Sequence, residues 1–185
     1  MRLIIAAILG GVVMFVWSAF SHIVLGVGEA SAVPPSNEGV LISTLKANVT
    51  QPGFYILPGM DMTKTPTEEE MAAWTAKYHE GPTAILIYNP TGADVMTPRQ
   101  LGTELASNIA AALLVGVILM LASVSFGRGV AISTLTGLAG WMAIEVSYWT
   151  WFRFPLSFIR GELIDQTAGF FLMGLVLAFI LRKRS

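Results

Sequence analysis

Leu3 to Gly26 reads LIIAAILGGVVMFVWSAFSHIVLG, an apolar run with no acid, lysine or arginine in it. A bilayer hydrocarbon core is about 30 Å thick and takes roughly 20 apolar helical residues to cross. This stretch is long enough, and Leu105 to Phe126 and Val130 to Trp149 match it. A fourth, Leu163 to Leu181, opens on Asp165 and Gln166. Its apolar part is short, so its polar start is expected at the headgroups. The chain therefore reads as a membrane α-helical protein with four transmembrane helices. Residues 1–28 hold transmembrane helix 1. Residues 29–104 form a small periplasmic α/β domain inserted between helices 1 and 2, and residues 105–185 hold helices 2 to 4 with a cytoplasmic C-terminal tail.

The composition agrees. Of 185 residues, 54% are hydrophobic and 12% charged, whereas soluble domains run near 45–50% apolar and about 25% charged. The formal net charge is -1, and no basic stripe is interleaved with aromatics, so no nucleic-acid partner is expected. Cysteine is absent, which excludes disulfides, thiolate catalysis and thiolate metal sites. The two histidines, His22 and His79, cannot furnish a His-rich metal centre.

Charge placement supplies an orientation. Arg2 precedes the first span, Arg128 lies in a Phe126-Gly127-Arg128-Gly129 link between the second and third, and Arg182, Lys183 and Arg184 follow the fourth. With four spans these five bases share one side. The loop from Glu29 to Glu104 holds nine acids and four bases. The positive-inside rule then expects both termini in the cytoplasm of a bacterium and the long loop outside its inner membrane. A cleaved signal peptide is the rival reading of the first span, because Ala30-Ser31-Ala32 has an A-x-A-like pattern. Cleavage there would leave a chain starting at Val33 with three spans. The apolar run is, however, longer than the 7–15 residues of a signal h-region, so an uncleaved anchor is expected.

The outer loop carries its own pattern. After Pro34-Pro35-Ser36, Asn37 to Val49 reads as a helix with Leu41, Leu45 and Val49 on one face and Ile42 beside them. Phe54 to Leu57 and Thr83 to Tyr88 read as short strands, bounded by Pro-Gly and Gly-Pro turns. Between them, Thr65-Pro66-Thr67-Glu68 starts a helix whose apolar face is Met71, Trp74 and Tyr78. A parallel strand pair with a helical crossover is possible. The expected core is Leu41, Leu45, Phe54, Ile56, Trp74, Ile85 and Ile87, and a two-stranded sheet needs such support. Thr97-Pro98-Arg99-Gln100 is a second capping box, so the second span should begin as a helix outside the membrane.

Few residues carry chemistry. Glu145 is the acid set well inside a span, and ionisable residues there are functional candidates by default. His22 lies at the outer end of the first span, at a comparable depth, so a His22–Glu145 pair could join two helices, hold a proton, or leave His22 to contact a pigment or haem. The plain alternatives are a Glu145 that reaches headgroups or water and a His22 at the interface. Trp141, Trp149, Trp151 and Phe152 are candidate contacts for partner, lipid or pigment, with Tyr148 and Phe154 completing an aromatic belt. Glu68, Glu69 and Glu70 suit a helix N-terminus, and Arg160, Glu162 and Asp165 read as a solvated interfacial turn. Small residues recur four apart at Ala7 and Gly11, Ala112 and Gly116, Ser133 and Gly137, and Gly174 and Ala178, a spacing that lets helices approach closely. G-x-S-x-G, H-E-x-x-H, P-loop and G-x-G-x-x-G motifs are absent, so no enzyme activity, cofactor or metal is expected.

Two stretches carry a likeness: Pro52-Gly53-Phe54-Tyr55 with Pro58-Gly59-Met60, and Glu145-Val146-Ser147-Tyr148-Trp149 running on to Trp151 and Phe154-Pro155. They resemble an uncharacterised group of small bacterial membrane proteins with four spans and one periplasmic domain. The resemblance covers nearly the whole chain and implies a fold; it implies no activity and transfers no site residue. The expected function is an accessory or scaffolding subunit in a larger membrane complex, respiratory or photosynthetic, with lipids and other membrane subunits as partners. The competing expectation is a small-ligand carrier or sensor built on His22 and Glu145.

Overall fold

A computed structural model of the chain describes residues 1–27, 32–61 and 63–182. Ala30 and Ser31 of the candidate cleavage pattern, and Lys183 and Arg184 of the basic tail, lie outside them. The elements are α1 (Arg2–Ile23), α2 (Glu38–Asn48), β1 (Gly53–Leu57), α3 (Glu68–Glu80), β2 (Ala84–Tyr88), α4 (Pro98–Ala122), α5 (Phe126–Phe152) and α6 (Leu156–Leu181). Four of them, α1, α4, α5 and α6, are long and apolar enough to cross a membrane. The chain divides into two compact units, Pro34–Val95 and the remainder.

In the helical unit α1 packs against α4 and α6, and α5 packs against α6. Its core joins Ala6 and Ala7 of α1, Ala112, Val115 and Leu119 of α4, and Met173 and Leu177 of α6. The four small-residue pairs all lie buried in helix seams. A Cβ on Gly11 would stand 2.5 Å from the Ile109 backbone, and one on Gly174 would stand 2.6 Å from Ser133 Cβ. At those places only glycine permits the observed approach. The Arg2 guanidinium donates a hydrogen bond to the Ile180 carbonyl, so the start of α1 meets the end of α6.

Two helix starts differ from the sequence reading. Phe126 to Gly129 form the first turn of α5 and not a link; the chain turns earlier, at Ser123, whose φ of 47° is left-handed. The glycine at 129 serves close packing, since a Cβ there would lie 2.8 Å from Ala178 Cβ. The last helix begins at Leu156, just after Pro155. Arg160, Glu162 and Asp165 are therefore helical and not part of a turn, because hydropathy marks the apolar part of a helix and not its end. The Thr97 box is formed as expected: Gln100 N–H donates to Thr97 Oγ1 at 3.2 Å and Thr97 N–H to Gln100 Oε1 at 2.8 Å.

In the smaller unit the cap of α3 is Thr67, two residues after Thr65. Its backbone N–H donates to Glu70 Oε2 at 2.9 Å, and Glu70 N–H returns a bond to Thr67 Oγ1 at 3.1 Å. Both threonines have a glutamate three residues on, and the second box is the one that forms. The strands pair antiparallel and not parallel, with Phe54 opposite Ile87, Ile56 opposite Ile85 and Leu57 opposite Ala84. The chain thus leaves and re-enters the sheet at one end, and no crossover is needed. Trp74 Nε1 donates to the Pro58 carbonyl at 3.0 Å, which ties α3 to the exit of β1. The expected core does not close within this unit. Leu45, Trp74 and Ile85 are half-buried, whereas Leu41, Phe54, Ile56 and Ile87 are exposed.

Candidate functional site

Polar residues recur at helical spacing near one end of the bundle. On α1 they are Ser18, Ser21 and His22, with Trp17 beside them; on α4, Glu104 and Asn108; on α6, Glu162, Asp165 and Gln166. Offsets of three and four put each set on one face of its helix. The three faces converge on a cavity of about 310 Å³, lined also by Met14 and Gly169. From His22 to Met14 the wall descends eight residues, or about 12 Å at 1.5 Å per residue.

The lining is held in place by short polar contacts. Ser21, fully buried, donates its hydroxyl to Asp165 Oδ1. His22 Nε2 lies 3.8 Å from Asp165 Oδ2. Trp17 Nε1 donates to the Asp165 backbone carbonyl at 3.0 Å. Asn108, only 6% exposed, donates through Nδ2 to Glu104 Oε1 at 3.3 Å. Asp165 is therefore bound to α1 through both its carboxylate and its backbone, and Glu104 is held by a buried neighbour one turn below it.

Sequence reading set Glu145 opposite His22; among the described residues the structure brings the carboxylate of Asp165 to His22. Glu145 sits on α5, which packs on α6, while α1 packs on α4 and α6. It is 7% exposed, and its Oε2 has no hydrogen-bond partner. Of the aromatic candidates, Trp141 is engaged inside the bundle, where its Nε1 donates to the Ile159 carbonyl at 3.0 Å. Trp149, Trp151 and Phe152 are exposed. Tyr148 stacks on Phe154 with ring centroids 5.3 Å apart, and Phe154 meets Phe158 at 5.2 Å, so an aromatic chain closes the α5–α6 turn.

Among the described residues no three His, Asp or Glu side chains are grouped as a metal cage. The site residues that sequence reasoning missed are Glu104, Asn108 and Gln166, together with Glu162 and Asp165, which it read as a solvated turn. Their signal was present as polar residues three and four apart inside long helices. Compared with known protein families, curated proteins and solved structures, the chain matches none.

Proposed function

We propose that the chain is a non-catalytic multi-pass membrane protein that serves as an accessory or scaffolding subunit of a larger bacterial membrane complex. One observation carries the reading. Among the described residues of Pro34–Val95 none is buried, yet Phe54, Ile56 and Ile87, with Ile85 on the same sheet face by register, are 57%, 45% and 81% exposed for the first three. Two strands with an open apolar face are marginal in water, and scattered surface apolars are normal only when they stand singly. This unit gains its missing core from another surface. The acids Glu38, Asp61, Glu68, Glu69, Glu70, Glu80 and Asp94 outnumber Lys46, Lys64 and Lys77 in it, so a partner with an apolar patch and a basic rim is the complement.

The same proposal puts both ends in the cytoplasm and residues 34–95 in the periplasm. It is supported by the gathering of arginines at one end of the bundle: Arg2 bonds the Ile180 carbonyl, two residues before Arg182, and Gly129, next to Arg128, abuts Ala178. Trp149, Trp151 and Phe152 then serve as contacts for lipid or a neighbouring subunit at the outer interface. The test is purification of the tagged protein in mild detergent, followed by native mass measurement and absorption spectra. A co-purifying membrane protein that is lost on Phe54→Asp or Ile87→Asp is expected. A monodisperse monomer with a protease-resistant outer unit would refute the reading, because the unit would then complete its core within its own chain.

A further inference from the structure

The cavity between α1, α4 and α6 is not needed for the docking just described, and its chemistry points elsewhere. Its lining includes three carboxylates, Glu104, Glu162 and Asp165, against one imidazole, His22, and no lysine or arginine. Such a wall is rich in acceptors. Carboxylates on helices apolar enough to cross a membrane are functional candidates by default. Here they are also held in position: Asp165 by the buried Ser21 hydroxyl and by His22, Glu104 by the buried Asn108. An array of fixed acceptors around a volume is suited to a donor-rich cation.

Size and shape choose the kind of cation. A volume of about 310 Å³ is on the order of ten times the 30 Å³ share of one water, too roomy for a bare ion. It falls at the low end of small-molecule sites. The carboxylates line this volume from α4 and α6, and among the described residues they are not grouped as a metal cage. Trp17 forms part of the wall, and an indole face attracts an ammonium or methylated ammonium group. Met14 and Gly169 also line it and offer apolar surface for a short carbon skeleton.

We propose that this cavity binds the ammonium group of a small organic cation, with Asp165 and Glu104 as its acceptors and Trp17 as its aromatic wall. The ammonium comes either from a soluble amine or from the headgroup of phosphatidylethanolamine, since the cavity lies at one end of the helices.

The experiment uses the full chain in detergent micelles and ethylammonium chloride as probe, with sodium chloride at equal ionic strength as control, read by titration calorimetry. Saturable binding of ethylammonium and none of sodium is expected. Glu104→Gln should weaken it on the order of tenfold, the effect of removing one charge-assisted contact of about 1.4 kcal/mol. Glu104 is exposed, so this variant keeps the fold even where Asp165→Asn fails to assemble. In parallel, native mass measurement after reconstitution with phosphatidylethanolamine or phosphatidylglycerol identifies the source. Retained phosphatidylethanolamine that Glu104→Gln releases assigns the headgroup, and ethylammonium binding without lipid preference assigns a soluble amine. Absence of both signals in the folded wild type, binding that Glu104→Gln leaves unchanged, or preference for the anionic lipid would each overturn the proposal.

Discussion

Replacing Gly11 by alanine tests how the bundle is held together. A Cβ added there would lie 2.5 Å from Ile109 Cα and 2.6 Å from Ile109 N. Carbon atoms in contact prefer about 3.5–4.0 Å, so α1 and α4 must part by roughly 1–1.5 Å. A gap of about 0.5–1 Å already forfeits a quarter to a half of each contact's attraction. The seam affected contains Ala7, Ala112 and Val115, all buried. Overpacking of this kind costs about 1–3 kcal/mol. Alanine also brings a helix-propensity gain of about 1 kcal/mol over glycine, which must be removed to see the packing term.

Two companion variants remove it. A Cβ at Gly102 of α4 meets nothing within 4 Å, and one at Gly116 meets the tip of Leu3, Cδ1, at 2.7 Å. Gly102→Ala should therefore be neutral or stabilising, and Gly116→Ala intermediate because a side-chain tip can swing away. The difference between Gly11→Ala and Gly102→Ala is expected at about 1–3 kcal/mol. It is measured as the shift in unfolding midpoint when the detergent-solubilised protein is titrated with sodium dodecyl sulfate and followed by far-UV circular dichroism. Trimming Ile109 to alanine removes the Cγ1 contact at 2.6 Å but should not fully rescue Gly11→Ala, because the backbone Cα and N at 2.5 and 2.6 Å remain. Equal shifts for positions 11 and 102, or full rescue by Ile109→Ala, would refute the close-approach argument.

The chain has no cysteine, so single cysteines report orientation without background: one at Lys64 should react with an impermeant thiol reagent in whole cells and one at Arg128 should not, and the reverse pattern overturns the topology. Trp74→Ala removes both the bond to the Pro58 carbonyl and the ring contact with Tyr78 at 5.1 Å; residues 34–95 should be cut faster in limited proteolysis, with Trp74→Phe between the two. Thr97→Ala deletes the α4 cap and should cost about 1 kcal/mol, seen as a lowered unfolding midpoint. The Thr63 hydroxyl and then the Thr63 backbone N–H, both donating to Asp61, hold the Asp61 carboxyl below its usual range. A depressed folded value means that this turn's contribution is present above the unfolded carboxyl range and lost as pH falls through the folded one; Thr63→Ala should raise the midpoint in a carbon-13 NMR titration of the aspartate carboxyls, and an unchanged midpoint counts against the bond.

Much of the helical unit could be read directly, because two signals in it are local. Apolar length marked four helices, and small residues four apart marked the seams where they touch. The misreadings came from rules that hold in water. Gly127 and Gly129 looked like a link because glycine weakens an isolated helix; in a bundle the same residue lets α5 approach Ala178. Charges at 160, 162 and 165 looked like a turn because apolar content was taken to mark the helix, although the hydrogen-bonded backbone runs on past the apolar segment. In the unit Pro34–Val95, secondary structure was legible and burial was not. Strand reading put Phe54, Ile56, Ile85 and Ile87 in one expected core, and the register gives them a common face, but an apolar pattern says only that a face is apolar. It does not say which surface covers it.

The candidate site shows the same division more sharply. Depth along a helix can be computed from residue number at about 1.5 Å per residue, and that calculation put His22 and an acid at one end of the bundle. It cannot choose between acids on different helices, because that depends on which helices are neighbours. Here α6 lies against both α1 and α5, so Asp165, one of the three α6 acceptors facing the cavity, reaches His22, while Glu145 belongs to the α5 side. Trp17 and Ser21 add contacts to Asp165 that fix the facing of α1 on α6. A substitution at Asp165 consequently loosens a helix seam as well as changing the cavity's charge, whereas one at the exposed Glu104 changes mainly the charge. That difference makes Glu104 the residue at which ligand recognition can be separated from assembly.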